Sequence, residues 1–380
     1  MKITKIKVSR LAVPLKHPYH LSKEYGIFAT ATPIVVEMHT DAGIVGYGEC
    51  DPWPLFTGDS AEVSELILQK HLAPMLLGTD PTNINGIHKK MDAIIRNQHL
   101  TKSAIDMAAY DIWGKATGMP VHQLLGGNVR ENNTMKCMWS IGGSTPEESA
   151  ADVLEAKALG YDGCMIKIGG PDYKLDADRT RAVREAVGKD YPLIVDANQG
   201  WDVDTAIRYW KRIRDLDILF FEQPLQSWDV DGMAKVRRAI DIPLSADEGV
   251  MTLQDARNLI KEEAVDIFSI KVTKNGGIQP AKAICDYADA NGIQVFFNSM
   301  IEEGITQAAS LQIGATCRNI VTTIGHAYFS PNRLAEDICT YHKQIKPAQG
   351  LVEISHKPGL GVELYPEAME KYTVNSFTVE

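Results

Sequence analysis

Three carboxylates close three short apolar runs in the middle of the chain. Ile194-Val195 leads into Asp196, Phe220-Phe221 into Glu222, and Leu244-Ser245-Ala246 into Asp247. Each run reads as a β-segment followed by helix-forming sequence, which places the acids at the same end of consecutive parallel strands. Carboxylates gathered there repel one another and resist ionising unless a cation sits between them. An all-oxygen ligand set suits a hard divalent ion, so one magnesium ion per active site is expected. Two lysines frame the cluster: Lys167 ends the run from Met165 and Lys271 ends Ile267-Phe268-Ser269-Ile270. The five residues recur at roughly 24 to 29 positions, the length of one strand-plus-helix unit in an eight-unit barrel. That recurrence puts all five on one rim. Closure then turns the two lysines toward each other, able to attack one substrate carbon from either face.

The elements needed to hold this rim are legible around it. Short strands near 135–141, 163–168, 192–196, 217–221, 243–246, 265–271, 294–297 and 319–324 alternate with helices such as 146–159, 176–187 and 278–291. The expected fold is α/β, a (β/α)7-8 TIM-type barrel over 126–330. Residues 1–125 read as an α+β capping domain. Antiparallel strands at 3–13 and 33–49 turn at Asp41-Ala42-Gly43, and helices follow over 61–73, 84–95 and 102–118. Between the strands, 19–28 reads as a polar and aromatic loop too irregular for either period. The segment 331–380 lacks a βα rhythm and is expected to return to the capping domain.

Composition narrows the function classes. A formal net charge of −10, with no compact basic block, argues against nucleic-acid and anionic-membrane binding. Cys50, Cys137, Cys164, Cys285, Cys317 and Cys339 lack paired spacing, as in a reduced, cytoplasmic protein, and do not suggest zinc. The N-terminus lacks the apolar core of a signal peptide, and no apolar run reaches the length of about 20 needed to span a bilayer.

The strand-end motifs resemble those of the enolase superfamily, within its muconate lactonizing enzyme and mandelate racemase-like group. The resemblance rests on Val195-Asp196-Ala197-Asn198-Gln199-Gly200-Trp201, Phe221-Glu222-Gln223-Pro224, Ala246-Asp247-Glu248 and Lys271-Val272-Thr273-Lys274-Asn275-Gly276-Gly277. Lys102-Ser103-Ala104-Ile105-Asp106-Met107 and Gln123-Leu124-Leu125-Gly126-Gly127 add to it, so it covers nearly the whole chain. It implies that Asp196, Glu222 and Asp247 bind a magnesium ion that in turn binds a substrate carboxylate. Lys167 and Lys271 would be the acid–base pair on opposite faces. Loss of a proton beside a carboxylate leaves an enediolate, whose two negative oxygens need a cation close by. The family carries Lys-x-Lys at the first lysine, and here Met165 replaces its first member. A lowered pKa at Lys167 would then rely on the metal and on desolvation. The seventh strand ends at Asn298 with no histidine, so two lysines are expected rather than lysine and histidine.

Further residues are weighed for supporting roles. Glu248 would contact Lys271 or the metal site, or be a solvated rim acid; Asn198 would orient a ligand or cap a helix. Asn298 is placed with these. Lys274 reads as a solvated loop residue or an anion anchor. Glu302 would meet a substrate ammonium, with Glu303 beside it. Tyr19, His20, Tyr25, Trp53 and Phe56 read either as an aromatic lid, including a cation–π surface, or as packing between domains. His326 and Tyr328 are similarly placed after the eighth strand. The expected activity is magnesium-dependent racemisation or epimerisation of an amino acid or derivative with a free carboxylate. Dehydration of a hydroxy acid or hydroxyproline-like substrate and muconate-type cycloisomerisation share the enediolate. A Schiff-base aldolase would need no metal, and a non-catalytic binding protein would need neither lysine. The partner is a small carboxylate, and the family implies a homo-oligomer, dimer to octamer.

Overall fold

The computed structural model describes residues 1–328, 330–339, 345–346 and 350–380. The chain opens with β1 (Ile3–Leu11), β2 (Val13–His20), β3 (Ile27–Ala31), β4 (Ile34–Thr40) and β5 (Val45–Cys50). Along β1, Ile6 and Val8 turn inward while Lys5 and Lys7 stay partly exposed, the two-residue period of a half-buried strand. β1 pairs antiparallel with β4, and β4 with β5. The helix His99–Thr117 lies directly on β5, buried along most of its length. Glycine makes this approach possible. A β-carbon at Gly48 would lie 1.8 Å from the Ala104 carbonyl oxygen, and one at Gly46 would lie 2.2 Å from that of Ala108.

The segment 19–28 is the tip of a hairpin: Tyr19 and His20 end β2, residues 21–26 make the turn, and Ile27 and Phe28 open β3. β2 and β3 form an antiparallel hairpin, with Tyr19 opposite Phe28 and His20 opposite Ile27. A bulge between Pro14 and Tyr19 interrupts the register, and that break destroys the alternation by which a strand would be read.

The barrel follows. β6 (Thr134–Lys136) and β7 (Trp139–Ile141) share what reads as one strand, but only β7 joins the parallel sheet. The sheet continues through β8 (Cys164–Lys167), β9 (Leu193–Asp196), β10 (Phe220–Glu222), β11 (Leu244–Ala246), β12 (Ile267–Ile270) and β13 (Gln294–Phe297), in sequential order. Helices on the outside begin on side chains that accept from their first turn: Thr145, Asp172, Asp202, Asp229 and Thr252. The expected eighth strand is reduced to isolated bridges. Ile320 bridges Val295, and His326 bridges both Phe297 and Cys137, while the chain bends away at 322–324 between them.

The C-terminal residues add β14 (Ile345–Lys346), β15 (Leu351–Glu353) and β16 (Thr373–Val379). β15 lies antiparallel between β14 and β6, and β16 pairs antiparallel with β1 at the edge of the capping sheet. Asp106 ties the two parts together. From the capping helix its carboxylate accepts from His88 at 2.7 Å and from the backbone amide of Ile278, the first residue of the helix after the Lys271 loop. No helix among the described residues is long and apolar enough to cross a membrane.

Candidate active site

The ladder aligns the strand ends: Lys167 is the Cα partner of Asp196, Asp196 of Glu222, and Glu222 of Ser245, two residues before Asp247. Side chains alternate along a strand, so partners in register present their side chains on one face. Lys167, Asp196, Glu222, Asp247 and Lys271 are all buried. They form an arc with a lysine at each end. Lys167 pairs with Asp196 Oδ2, and Lys271 Nζ lies 2.7 Å from Asp247 Oδ2. Glu222 stands between the two acids. Its Oε1 accepts from Asn298 Nδ2 at 2.6 Å, while Oε2 is buried with no donor.

Among the described residues, no three acid, imidazole or thiol side chains are already closed around a metal-sized space. The lysines explain why: they neutralise Asp196 and Asp247 themselves. The donor chemistry nevertheless fits a hard cation. Glu222 Oε2, Asn198 Oδ1 and Glu248 Oε2 are buried acceptors without a hydrogen-bond partner. Burial, then the charges of Asp196 and Asp247, pushes the Glu222 carboxyl well above its usual range. A divalent ion would relieve all three strains at once, and Asp196, Glu222 and Asp247 are the residues that would hold it.

Burial pulls the Lys167 ammonium down, but Asp196, followed by Tyr19 and Glu222, more than offsets this and raises it. Asp247 is pushed up by burial, yet Lys271 and Lys274 together hold it below the carboxylate range. Lys274 is therefore not solvated. It is fully buried and donates to Asp247 Oδ1 at 2.8 Å, to the Asp247 carbonyl at 2.6 Å and to the Ser269 carbonyl at 2.9 Å. Gln223, which the sequence did not single out, fixes the same acid from the other side. With φ of 32° it turns Oε1 onto the amides of Asp247 at 2.9 Å and Gly249 at 3.1 Å.

The hairpin tip closes over this arc. Ser22 Oγ donates to the Asn198 carbonyl at 3.1 Å, and the Lys23 amide reaches the Gly169 carbonyl at 3.3 Å. Tyr25 donates to Glu248 Oε1 at 2.8 Å and accepts from Gln199 Nε2 at 2.6 Å. Asn198 Nδ2 links that same Glu248 oxygen, at 3.2 Å, to Asp196 Oδ2, at 3.0 Å. Glu248 thus joins the lid to an acid of the arc and is not a solvated rim residue. Burial, then Asp247, raises its carboxyl to about 7. Tyr25→Phe keeps the ring and removes this link. It should raise KM about tenfold, the effect of one hydrogen bond to a charged group, with the thermal midpoint moving by a few degrees at most. A KM left at the wild-type value would show that the tip does not latch there.

The remaining expected residues divide. Trp53 and Phe56 join Tyr25 and Phe28 in one aromatic cluster, with centroids 4.8 to 6.1 Å apart, and the Phe56 ring lies 4.0 Å from Lys271 Nζ. Tyr19 lies at the other end, hydrogen-bonded with Ser140 and within the field of Lys167. Met165 is fully buried, two residues back from Lys167 on the same inward face. Glu302 Oε2 accepts from Ser299 Oγ at 2.6 Å and feels the charge of Lys271. His326 does not join the cluster. It stacks on Phe297, which faces outward because Phe296 and Asn298 face in, and its Nε2 lies 2.8 Å from Ser310 Oγ. Burial holds its imidazole neutral, down to about 3.

Residues 3–126 match the family model of the mandelate racemase / muconate lactonizing enzyme N-terminal domain, and residues 148–368 match that of the enolase C-terminal domain-like family. N-succinyl-L-Arg/Lys racemase of Bacillus cereus is 36% identical, covering 98% of each chain. Its crystal structure aligns at a TM-score of 0.94 over 100% of both chains. L-Ala-D/L-Glu epimerase of Bacillus subtilis is 33% identical over 95% of this chain and 97% of its own. A dipeptide epimerase of Enterococcus faecalis, crystallised with Mg and the dipeptide L-Leu-L-Tyr, aligns at a TM-score of 0.89 with 31% identity, over 96% of this chain and 100% of that one. With both domain models matched and these relatives covered end to end, the chain belongs to the mandelate racemase and muconate lactonizing enzyme group of the enolase superfamily.

Proposed function

We propose that this isomerase racemises or epimerises an amino acid or amino-acid derivative that carries a free carboxylate. Lys167 and Lys271 are the two bases, and Asp196, Glu222 and Asp247 hold one magnesium ion. The observation that carries the reading is the arc itself: three buried acids with a lysine at each end. The named activities of the racemase and epimerase relatives support it.

When bound, magnesium supplies positive charge that stabilises the substrate carboxylate as negative charge develops on it. The rest falls to the chain. A lysine released from its acid partner loses the group that holds its proton, and burial then favours the neutral amine that accepts one. Lys167 takes the α-proton on one face, and Lys271, protonated, returns one on the other. The Phe56 ring 4.0 Å away favours the charged form of Lys271, which suits its turn as acid. Asn198 and Glu248 keep Asp196 oriented, Asn298 does so for Glu222, and the hairpin tip excludes water.

The test is a panel of carboxylates incubated in heavy water, with magnesium or with chelator. Deuterium should enter the α-carbon of one class, with mass otherwise conserved and configuration scrambled, only when magnesium is present. A keto or imino product would convert the reading to elimination. Turnover in chelator would remove the metal from it.

A further inference from the structure

We propose that Lys274 is a positioning residue for the proton transfer: its ammonium is the fixed counter-ion of Asp247, and by holding that acid it lets Lys271 leave Asp247 for the substrate. This rests on the racemase reading above and divides the work between two lysines three residues apart.

The two ammonium groups meet one carboxylate in different ways. Lys274 Nζ donates to Asp247 Oδ1 at 2.8 Å, to the Asp247 carbonyl at 2.6 Å and to the Ser269 carbonyl at 2.9 Å, and its side chain is wholly enclosed. An ammonium has three donors, so all of them are used. Two of the acceptors are main-chain oxygens, one in β12 and one just after β11, and moving the side chain would strand both in the interior. The turn that aims it is itself tied down. The Asn275 amide donates to the Lys271 carbonyl at 2.9 Å, the Gly277 amide to the Val272 carbonyl at 2.9 Å, and Asn275 Nδ2 to the Val250 carbonyl at 2.8 Å.

Lys271 is held far more loosely. Among the described residues its ammonium meets a single acid oxygen, Asp247 Oδ2, at 2.7 Å. That contact lacks hydrogen-bond geometry, and Oδ2 remains a buried oxygen without a donor. The other neighbour is the Phe56 ring at 4.0 Å, which favours the charge without fixing its direction.

Charge balance gives the arrangement its use. A divalent ion brings two charges to the three acids of the arc, and Lys274 brings the third from behind. Lys271 can then depart without leaving a bare carboxylate in the interior. Without Lys274 the unmatched charge would stay on the acid that Lys271 touches, and would hold that lysine there. Among the described residues Asp196 has no second lysine, so the dependence falls on the Lys271 flank alone.

The experiment uses the full chain with magnesium and follows α-deuterium exchange from both enantiomeric forms of each carboxylate of the panel, N-succinyl-arginine and Leu-Tyr included. Lys274→Met should slow exchange roughly a hundredfold for the form whose exchange Lys271→Ala abolishes, in kcat rather than KM, and less than tenfold for the other. Lys274→Gln, which keeps two donors without the charge, should show the same asymmetry and serves if the methionine variant fails to fold. Equal losses on both forms, or no loss, overturn the role of Lys274 and leave the racemase reading standing. Wild type that exchanges no carboxylate of the panel overturns the racemase reading. Acetylation of the wild-type chain by acetic anhydride, read by peptide mass spectrometry, decides the role of Lys274 without turnover or variants. Lys271 should react faster with magnesium than with chelator, and Lys274 should stay unmodified in both. Equal reactivity of the two lysines with magnesium bound overturns the proposal.

Discussion

Removing either lysine should leave a protein that racemises nothing yet still exchanges the α-proton of one enantiomer. In a two-base arrangement each amine serves one face of the carbon, so Lys167→Ala and Lys271→Ala should retain exchange with opposite enantiomers. Racemisation itself should fall at least about a thousandfold in each, the scale of a positioned acid–base group. The two variants should differ in stability as well. Among the described residues, Asp196 loses its only lysine in Lys167→Ala and keeps only the Asn198 amide groups, at 2.8 and 3.0 Å. Asp247 in Lys271→Ala keeps Lys274 at 2.8 Å. An uncompensated buried carboxylate costs about 3–5 kcal/mol, so in chelator Lys167→Ala should melt clearly below Lys271→Ala. Chiral chromatography and deuterium NMR on both enantiomers read the first part, and thermal denaturation the second. If both variants exchanged the same enantiomer, the lysines would not lie on opposite faces of the substrate.

How much of this was visible in the sequence depends on whether local pattern or distant packing decides a position. The five arc residues are legible because parallel strands are short, buried and evenly spaced, so strand ends recur with the length of the βα unit. The hairpin of β2 and β3 is not, because the bulge between Pro14 and Tyr19 shifts the inward face midway. His326 fails for a related reason. With only single bridges on either side, its segment has no alternation from which its direction could be read. Lys274 looks like a loop lysine until the turn is formed. Asn275 then accepts from the Lys271 amide at 3.1 Å and donates to the Val250 carbonyl at 2.8 Å, holding the loop against the strand before it.

Glu222→Gln should reverse its effect on stability according to whether magnesium is present. In the metal-free protein, burial and two neighbouring carboxylates hold the Glu222 carboxyl protonated above its ordinary range. The folded state therefore binds a proton that the unfolded state has released, and stability falls as pH rises from the ordinary carboxylate pKa toward the raised one. Glutamine keeps an oxygen to accept from Asn298 Nδ2 and carries no charge, so the chelated variant should be at least as stable as wild type at neutral pH, with a flatter pH dependence. Magnesium should invert the order. A ligand that binds only the folded state adds about 2.7 kcal/mol when present at a hundred times its dissociation constant. Wild type should gain that increment and the variant should lose most of it, together with at least about a thousandfold in racemisation. Because the ion must displace a proton, the gain in wild type should also shrink as pH falls. Thermal melts of both proteins, across pH, with magnesium and with chelator, supply all four curves. A residue that merely held the barrel together would give a variant less stable under both conditions, and the curves would not cross.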